Sequence, residues 1–254
     1  MAYFEYLRTR RSFLIFAAFL LALTAAILVI VSFHSRDIQI GIGHHHTAVS
    51  VIFFTSLAAW GTAILASINC ASLNRQREHL PYTWTRPQSR EQMALELIAV
   101  DLAIMIAAFV LVVGLEMLVF AILTEGRIPL LWRGTGAAFL RGFGFALMWY
   151  SMVQAATAWA SFRGSVVAGI SWPIFIIVAG LEAARFPAPW SEILTFVNIF
   201  NPMAYLSGTE VSRSGEVVLH SVIPFADSVR LALMYGLSLL ALVVAVFSWK
   251  RMEA

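Results

Sequence analysis

Leu97–Leu123 reads LIAVDLAIMIAAFVLVVGLEMLVFAIL, and only Asp101 and Glu116 in it carry charge. A run of about 20 apolar residues crosses the hydrocarbon of a bilayer as a helix. This stretch is therefore read as a span, long enough to tilt. The same pattern recurs on both sides of it, at residues 13–33, 49–68, 137–161, 166–181 and 229–249. Window hydropathy thus gives about six spans. In lipid each segment must satisfy its own backbone groups, so all are expected to be helices. Composition agrees: of 254 residues, 60% are hydrophobic and 12% charged, where a soluble domain carries about 25% charged residues. The expected fold class is an all-α membrane protein, one transmembrane domain over residues 1–254.

The first run has a basic lead, Arg8, Arg10 and Arg11. It is too long for the apolar core of a signal peptide, and no A-x-A-like site closes it before Arg36. It is read as a retained span. Arginine sets the orientation. The N-terminal segment, the loop after the second span (Arg75, Arg77, Arg86, Arg90), the turn at Arg163 and the tail at Lys250–Arg251 fall on one side. Arg36, Arg127, Arg133, Arg185 and Arg213 are spread more thinly over the other. The denser side is expected to be cytoplasmic, with both termini on it.

Cys70 is the only cysteine, so no internal disulfide forms, and a buried inert thiol is the expected reading. Lys250 is the only lysine. A P-loop requires Gly-x-x-x-x-Gly-Lys-Ser/Thr, so this chain holds none. If ATP drives the protein, another chain binds it.

Between the second and third spans lies a polar insert, Asn74–Glu91, NRQREHLPYTWTRPQSRE. Arginines alone would make it an ordinary topology-setting loop. Leu80, Tyr82 and Trp84 place apolar and aromatic groups among the charges, as in a docking surface. Pro81 and Pro87 stiffen it. Ser89, with Gln92 three residues on, can cap a helix that runs into the third span.

The whole chain resembles the permease subunit of a type-2 family ABC transporter, the type V exporter fold. The resemblance rests on the amphipathic start MAYFEYLRTRRS, the Arg77–Glu78 pair, Thr85-Arg86-Pro87-Gln88-Ser89-Arg90, the apolar segment before the last span, and the basic tail Trp249-Lys250-Arg251. Where that family often has Gly-Thr after the glutamate, this chain has His79-Leu80-Pro81, and Leu95-Glu96 replaces Gly-Lys near the third span. The resemblance implies an interfacial N-terminal helix over residues 1–12 and a cytoplasmic coupling loop over 74–92. That loop would dock on a separate nucleotide-binding ATPase subunit through Arg77, Glu78, Leu80, Tyr82, Trp84, Arg86 and Arg90. ATP and magnesium would belong to that partner, and this chain itself would have no catalytic site and no cofactor. It also implies a second permease subunit, identical or homologous, around a central path with alternating access. Export is the implied direction and the bacterial cytoplasmic membrane the implied location. Lipids, and no nucleic acid, complete the expected partners.

Four intramembrane polar residues stand out: Asp101, Glu116, Arg141 and Gln154. A charge at mid-bilayer costs roughly 2.5–3.5 kcal/mol on insertion scales, so such groups find partners. Glu116 and Arg141 match in depth and are expected to pair. Asp101 is expected to reach Arg163 or Arg90, and Gln154 to bond across helices or line a cavity. His44, His45 and His46 are consecutive and so do not all point one way. They are read as a solvated loop rather than a metal site. Residues 187–227 are too apolar for a loop, and a helical hairpin dipping into the outer leaflet is expected. In it Ser191 would cap one short helix that stops before Asn201-Pro202, and Glu216–Val222 would form the other.

A second class of function is a non-transporting membrane scaffold or an intramembrane enzyme. The spans hold no histidine, and Asp101 and Glu116 lie about four turns apart, too far for a dyad. The substrate of a permease is not readable beyond an amphipathic or apolar compound. Phe143, Phe145, Trp149, Tyr150 and Trp159 would suit one, or simply pack or face lipid.

Overall fold

The computed structural model describes residues 7, 10–22, 25, 58–66, 89–123, 135–160, 164–183, 187–206, 210–211, 217–218 and 225–251. Among these, the architecture is helical. Residues 10–22 (α1) and 58–66 (α2) are helical. They are followed by α3 (Arg90–Leu123), α4 (Thr135–Ala160), α5 (Gly164–Ala183), α6 (Trp190–Ile199), α7 (Met203–Leu206) and α8 (Asp227–Arg251).

α3 is unbroken over 34 residues. Ser89 opens it with a reciprocal capping box: the Gln92 N–H donates to Ser89 Oγ at 3.2 Å, and the Ser89 N–H donates to Gln92 Oε1 at 3.3 Å. Two donors that a helix start would otherwise leave unused are satisfied in this way. The expected cap is therefore present, and it joins the end of the polar insert to α3. α5 contains Pro173, which removes one rung of its hydrogen-bond ladder.

α4 and α8 form the most extensive helix pair among the described residues. Gly144 of α4 abuts Met234 and Tyr235 of α8. Ala158 of α4 shares a cluster with Ala245 of α8 and Ala94 of α3. These contacts make α4 and α8 parallel and α3 antiparallel to both. Small residues at each crossing let the backbones approach closely, as hydrocarbon-embedded helices require. α5 follows α4 after three residues, 161–163, and so turns back as its antiparallel neighbour.

Side chains are distributed inside out relative to a water-soluble bundle. Val110, Ile177 and Leu239 are each about 60% exposed (63%, 58% and 61%) on α3, α5 and α8. Asp101, Ser151, Gln154 and Ser238 are fully buried. Two helical stretches, Glu91–Val119 and Asp227–Ser248, are long and apolar enough to cross a membrane, and Gly169–Val178 of α5 is a shorter apolar stretch. Of the expected runs at 13–33 and 49–68, about half of each lies outside the described residues, and the described parts are helical.

The segment before α8 departs from the expected helix pair in two ways. α6 starts at Trp190 with Pro189 at the N-cap and no side-chain cap. Ser191 is thus inside the helix, where its carbonyl accepts from Thr195 Oγ1 at 2.9 Å. Proline at the cap has its φ already set and no N–H to lose, so the helix starts without a serine. Glu216–Val222 is not a helix where described: Val217–Val218 (β2) pairs antiparallel with Glu210–Val211 (β1), Glu210 opposite Val218 and Val211 opposite Val217. Valines at 211, 217 and 218 are stiff at χ1 and favour the pleated conformation. The second helix of the region is instead the single turn α7, which follows Pro202.

Candidate functional site

The fully buried face of α3 carries Asp101. The Tyr150 hydroxyl of α4 donates to Asp101 Oδ2 at 2.9 Å, and Gln154 Nε2, one turn along α4, donates to the same hydroxyl at 3.1 Å. Asp101, Tyr150 and Gln154 are each 0% exposed. The tyrosine hydroxyl thus relays Gln154 to Asp101; the bond of Gln154 stays within α4, and the bond that crosses to α3 is that of Tyr150. Gln154 Oε1 is buried with no hydrogen-bond partner among the described residues. Of the two arginines expected near Asp101, Arg163 lies outside the described residues and Arg90 opens α3.

Beside this network is a slab of aromatic rings drawn from three helices. Trp60 of α2 stacks on Trp172 of α5, centroids 4.9 Å apart and planes 25° apart. Trp172 meets Trp149 of α4 at 4.0 Å, and Trp149 meets Phe175 edge-on at 5.1 Å. Phe145, Trp149 and Tyr150 have no exposed surface. They pack the interior and do not face lipid. Phe143 is half-buried, and the Trp159 side chain lies outside the described residues.

The α6–α7 turn closes on the slab from the side of residues 187–227. Asn201 Nδ2 donates to the Phe175 carbonyl, in the middle of α5, at 3.1 Å, and to Asn198 Oδ1 at 3.0 Å. Its Oδ1 accepts from the Met203 N–H at 3.1 Å. Asn198 and Asn201 are buried, and Met203 joins the cluster of Phe145, Trp149 and Tyr150. Tyr205 donates to the Ile199 carbonyl at 2.9 Å. Burial pushes its hydroxyl up to about 12, so it stays a donor at any physiological pH. These bonds bring a non-helical turn to mid-α5 depth, which is tolerable because protein surrounds it. In the sequence Asn201 was read only as part of the Asn201-Pro202 helix stop, and Asn198 was not singled out. The signal available was two amides flanking a helix end, three residues apart, with Pro202 behind them.

The expected Glu116–Arg141 pair does not form. Arg141 instead pairs with Asp227, the first residue of α8, which also pairs with Arg230. Helix phase explains this. Phe109 of α3 meets Phe143 edge-on at 5.7 Å, and Phe139 and Phe143 pack against the Phe109–Val112 cluster. Arg141 sits two positions from both phenylalanines, about 200° around α4. It therefore faces α8 rather than α3. The expected match in depth fails as well: with Asp101 on Tyr150 and Phe109 on Phe143, the antiparallel register puts Glu116 opposite the first residues of α4, about one and a half turns from Arg141. Glu116 Oε2 is left buried with no hydrogen-bond partner among the described residues.

Of the proposed docking residues, Arg77, Glu78, Leu80, Tyr82, Trp84 and Arg86 lie outside the described residues, as do His44–His46. No group of three or more metal-ligating side chains occurs among the described residues. No known protein family matches the chain, and no curated protein matches it.

Proposed function

We propose that this chain is the membrane-embedded permease subunit of an ATP-driven exporter of the type-2 ABC class. It would cross the bilayer about six times, with both termini and the loop 74–92 in the cytoplasm. A separate subunit would bind and hydrolyse ATP, and a second permease copy would complete the path.

The observation that supports this reading most is the way α3 is joined to the polar insert. At 1.5 Å per residue, 34 residues make a rod about 50 Å long. A bilayer measures about 40–45 Å including its headgroups. An unbroken helix of that length begins in water and ends near the opposite surface. The Ser89–Gln92 capping box fixes the insert to the start of this rod, so a push on the insert moves the whole helix. Through Asp101 and Tyr150 the push passes to α4, and through the α4–α8 face to α8. The inside-out distribution of side chains fits lipid as the surrounding solvent. The single lysine excludes a P-loop in this chain and leaves ATP to a partner.

The test is charge reversal in the insert. Glu78→Arg and Arg86→Glu add like-charge repulsion at a docking surface, which costs more than truncation. Each is expected to reduce co-purification of the ATPase subunit, or to uncouple its hydrolysis from transport, at unchanged expression and insertion. Wild-type pull-down and wild-type transport in both variants would reject the coupling role.

A further inference from the structure

We infer that Arg141, Arg230 and Asp227 form a binding site for the phosphate of an anionic lipid at one edge of the bilayer. The inference rests on the membrane-embedded reading above and deepens it by naming a partner.

Two guanidiniums meet on one carboxylate. Arg141 of α4 reaches Asp227 Oδ2, and Arg230, one turn along α8, reaches Asp227 Oδ1. The cluster therefore holds one more positive charge than negative. A guanidinium has five N–H donors, and among the described residues each arginine spends them on Asp227 alone. Arg230 Nε is buried and has no hydrogen-bond partner there. The side chains of Arg141, Arg230 and Asp227 are 21%, 15% and 48% exposed, so the cluster is partly desolvated and open on one side. Surplus charge that is partly removed from water, with donors unspent, calls for a counter-ion.

Position selects that ion. α8 is apolar from Asp227 to Ser248. Its 22 residues make about 33 Å of helix, close to the roughly 30 Å of bilayer hydrocarbon. Asp227 thus marks one boundary of the apolar stretch, the level at which lipid phosphates lie. Leu140, next to Arg141 in the chain, and Phe225 and Val229, two positions either side of Asp227, are 53%, 43% and 46% exposed. Apolar surface beside the charges fits acyl chains and suits a lipid better than an ion free in water. The forked guanidinium matches phosphate oxygens two at a time. A phosphatidylcholine headgroup brings its own cation, which the surplus positive charge repels. Phosphatidylglycerol brings none.

Native mass spectrometry of the full chain in detergent tests the site, with equal amounts of phosphatidylglycerol and phosphatidylcholine of the same acyl chains. Phosphatidylglycerol is expected to be retained in preference. Arg141→Gln and Arg230→Gln should each lower its retention by about fivefold, as the loss of one arginine at a membrane surface implies, and leave phosphatidylcholine unchanged. Asp227→Asn removes the competing carboxylate and should raise phosphatidylglycerol retention by a similar factor. That variant decides the matter should the arginine variants fail to fold, because a purely structural ion cluster gains no lipid when its carboxylate is lost. Equal retention of the two lipids by wild type, an unchanged preference in both arginine variants, or no gain in Asp227→Asn would overturn the site. Release of the lipid by excess inorganic phosphate would overturn the lipid as its source. Since the assay needs no ATPase, retention that depends on these residues in a chain that captures no ATPase subunit would sink the permease reading alone. Capture of the ATPase with retention indifferent to them would sink this inference alone.

Discussion

Replacing Tyr150 by phenylalanine removes one oxygen atom and breaks its hydrogen bonds to Asp101 and Gln154. The hydroxyl gives a proton to Asp101 Oδ2 at 2.9 Å and takes one from Gln154 Nε2 at 3.1 Å. All three side chains are wholly buried, so no water replaces the lost partner. Ring packing against its neighbours is retained, which isolates the polar term. A bond to a carboxylate contributes about 1.5–3 kcal/mol, and a buried donor left alone costs about 1–3 kcal/mol. Interhelical bonds within a bilayer measure lower, about 0.6 kcal/mol on average. Together these give an expected loss of about 2–3 kcal/mol. Gln154→Leu is the contrast. It removes an amide whose Oε1 already lacks a partner, and it leaves the Tyr150–Asp101 bond intact, so it should lie within about 1 kcal/mol of wild type. Equilibrium unfolding in mixed micelles, followed by tryptophan fluorescence, measures both. A Gln154→Leu loss as large as that of Tyr150→Phe would refute the relay, as would a silent Tyr150→Phe.

Further outcomes are expected elsewhere. Arg141→Met and Asp227→Asn should couple in a double-mutant cycle by about 0.5–1 kcal/mol, the modest value reflecting an Asp227 side chain that is 48% exposed; Arg141→Met and Glu116→Gln should be additive in the same thermal assay. Asp227→Asn alone should cost more than Arg141→Met, since it strands Arg230 as well. Gly144→Leu places side-chain atoms where Met234 and Tyr235 sit and should destabilise the α4–α8 pair by about 1–3 kcal/mol, read as a lowered midpoint of thermal unfolding. Asn201→Ala removes three hydrogen bonds of the α6–α7 turn and should cost about 2–3 kcal/mol; hydrogen exchange at the Met203 amide should rise with it.

Much of the helical architecture was legible because long apolar runs favour helix. The runs at 97–123, 137–161 and 229–249 announce helices through length and apolarity alone, and Ser89 and Gln92 announce the start of α3. What escaped reading depends on facing rather than on composition. The partner across a bundle depends on the register between helices and on rotation about the axis, and neither can be counted from residue numbers. Arg141 was given the wrong level and the wrong neighbour: Phe109 meets Phe143, which leaves Glu116 nearer the start of α4, and Phe139 and Phe143, not the arginine, hold the α3-facing side. Tyr150 was visible only as an aromatic group; its hydroxyl becomes decisive once Asp101 of another helix is opposite. Val217–Val218, inside the helix expected over Glu216–Val222, pairs instead with Glu210–Val211, because a short apolar stretch has no period that separates helix from strand, and there the valines outweigh the helix signal.

Arg141 meets its carboxylate partner only across 86 residues of sequence. On a ribosome working at about 5–20 residues per second, that gap lasts roughly 4–17 s. If α4 crosses a membrane as proposed, it would enter during that interval before the carboxylate that pairs with its guanidinium has been made. Biogenesis in a membrane would then have an intermediate that the finished bundle conceals: about nine-tenths of the chain made, and α4 waiting for α8. Chains cut short before Asp227 would keep Arg141 without this partner.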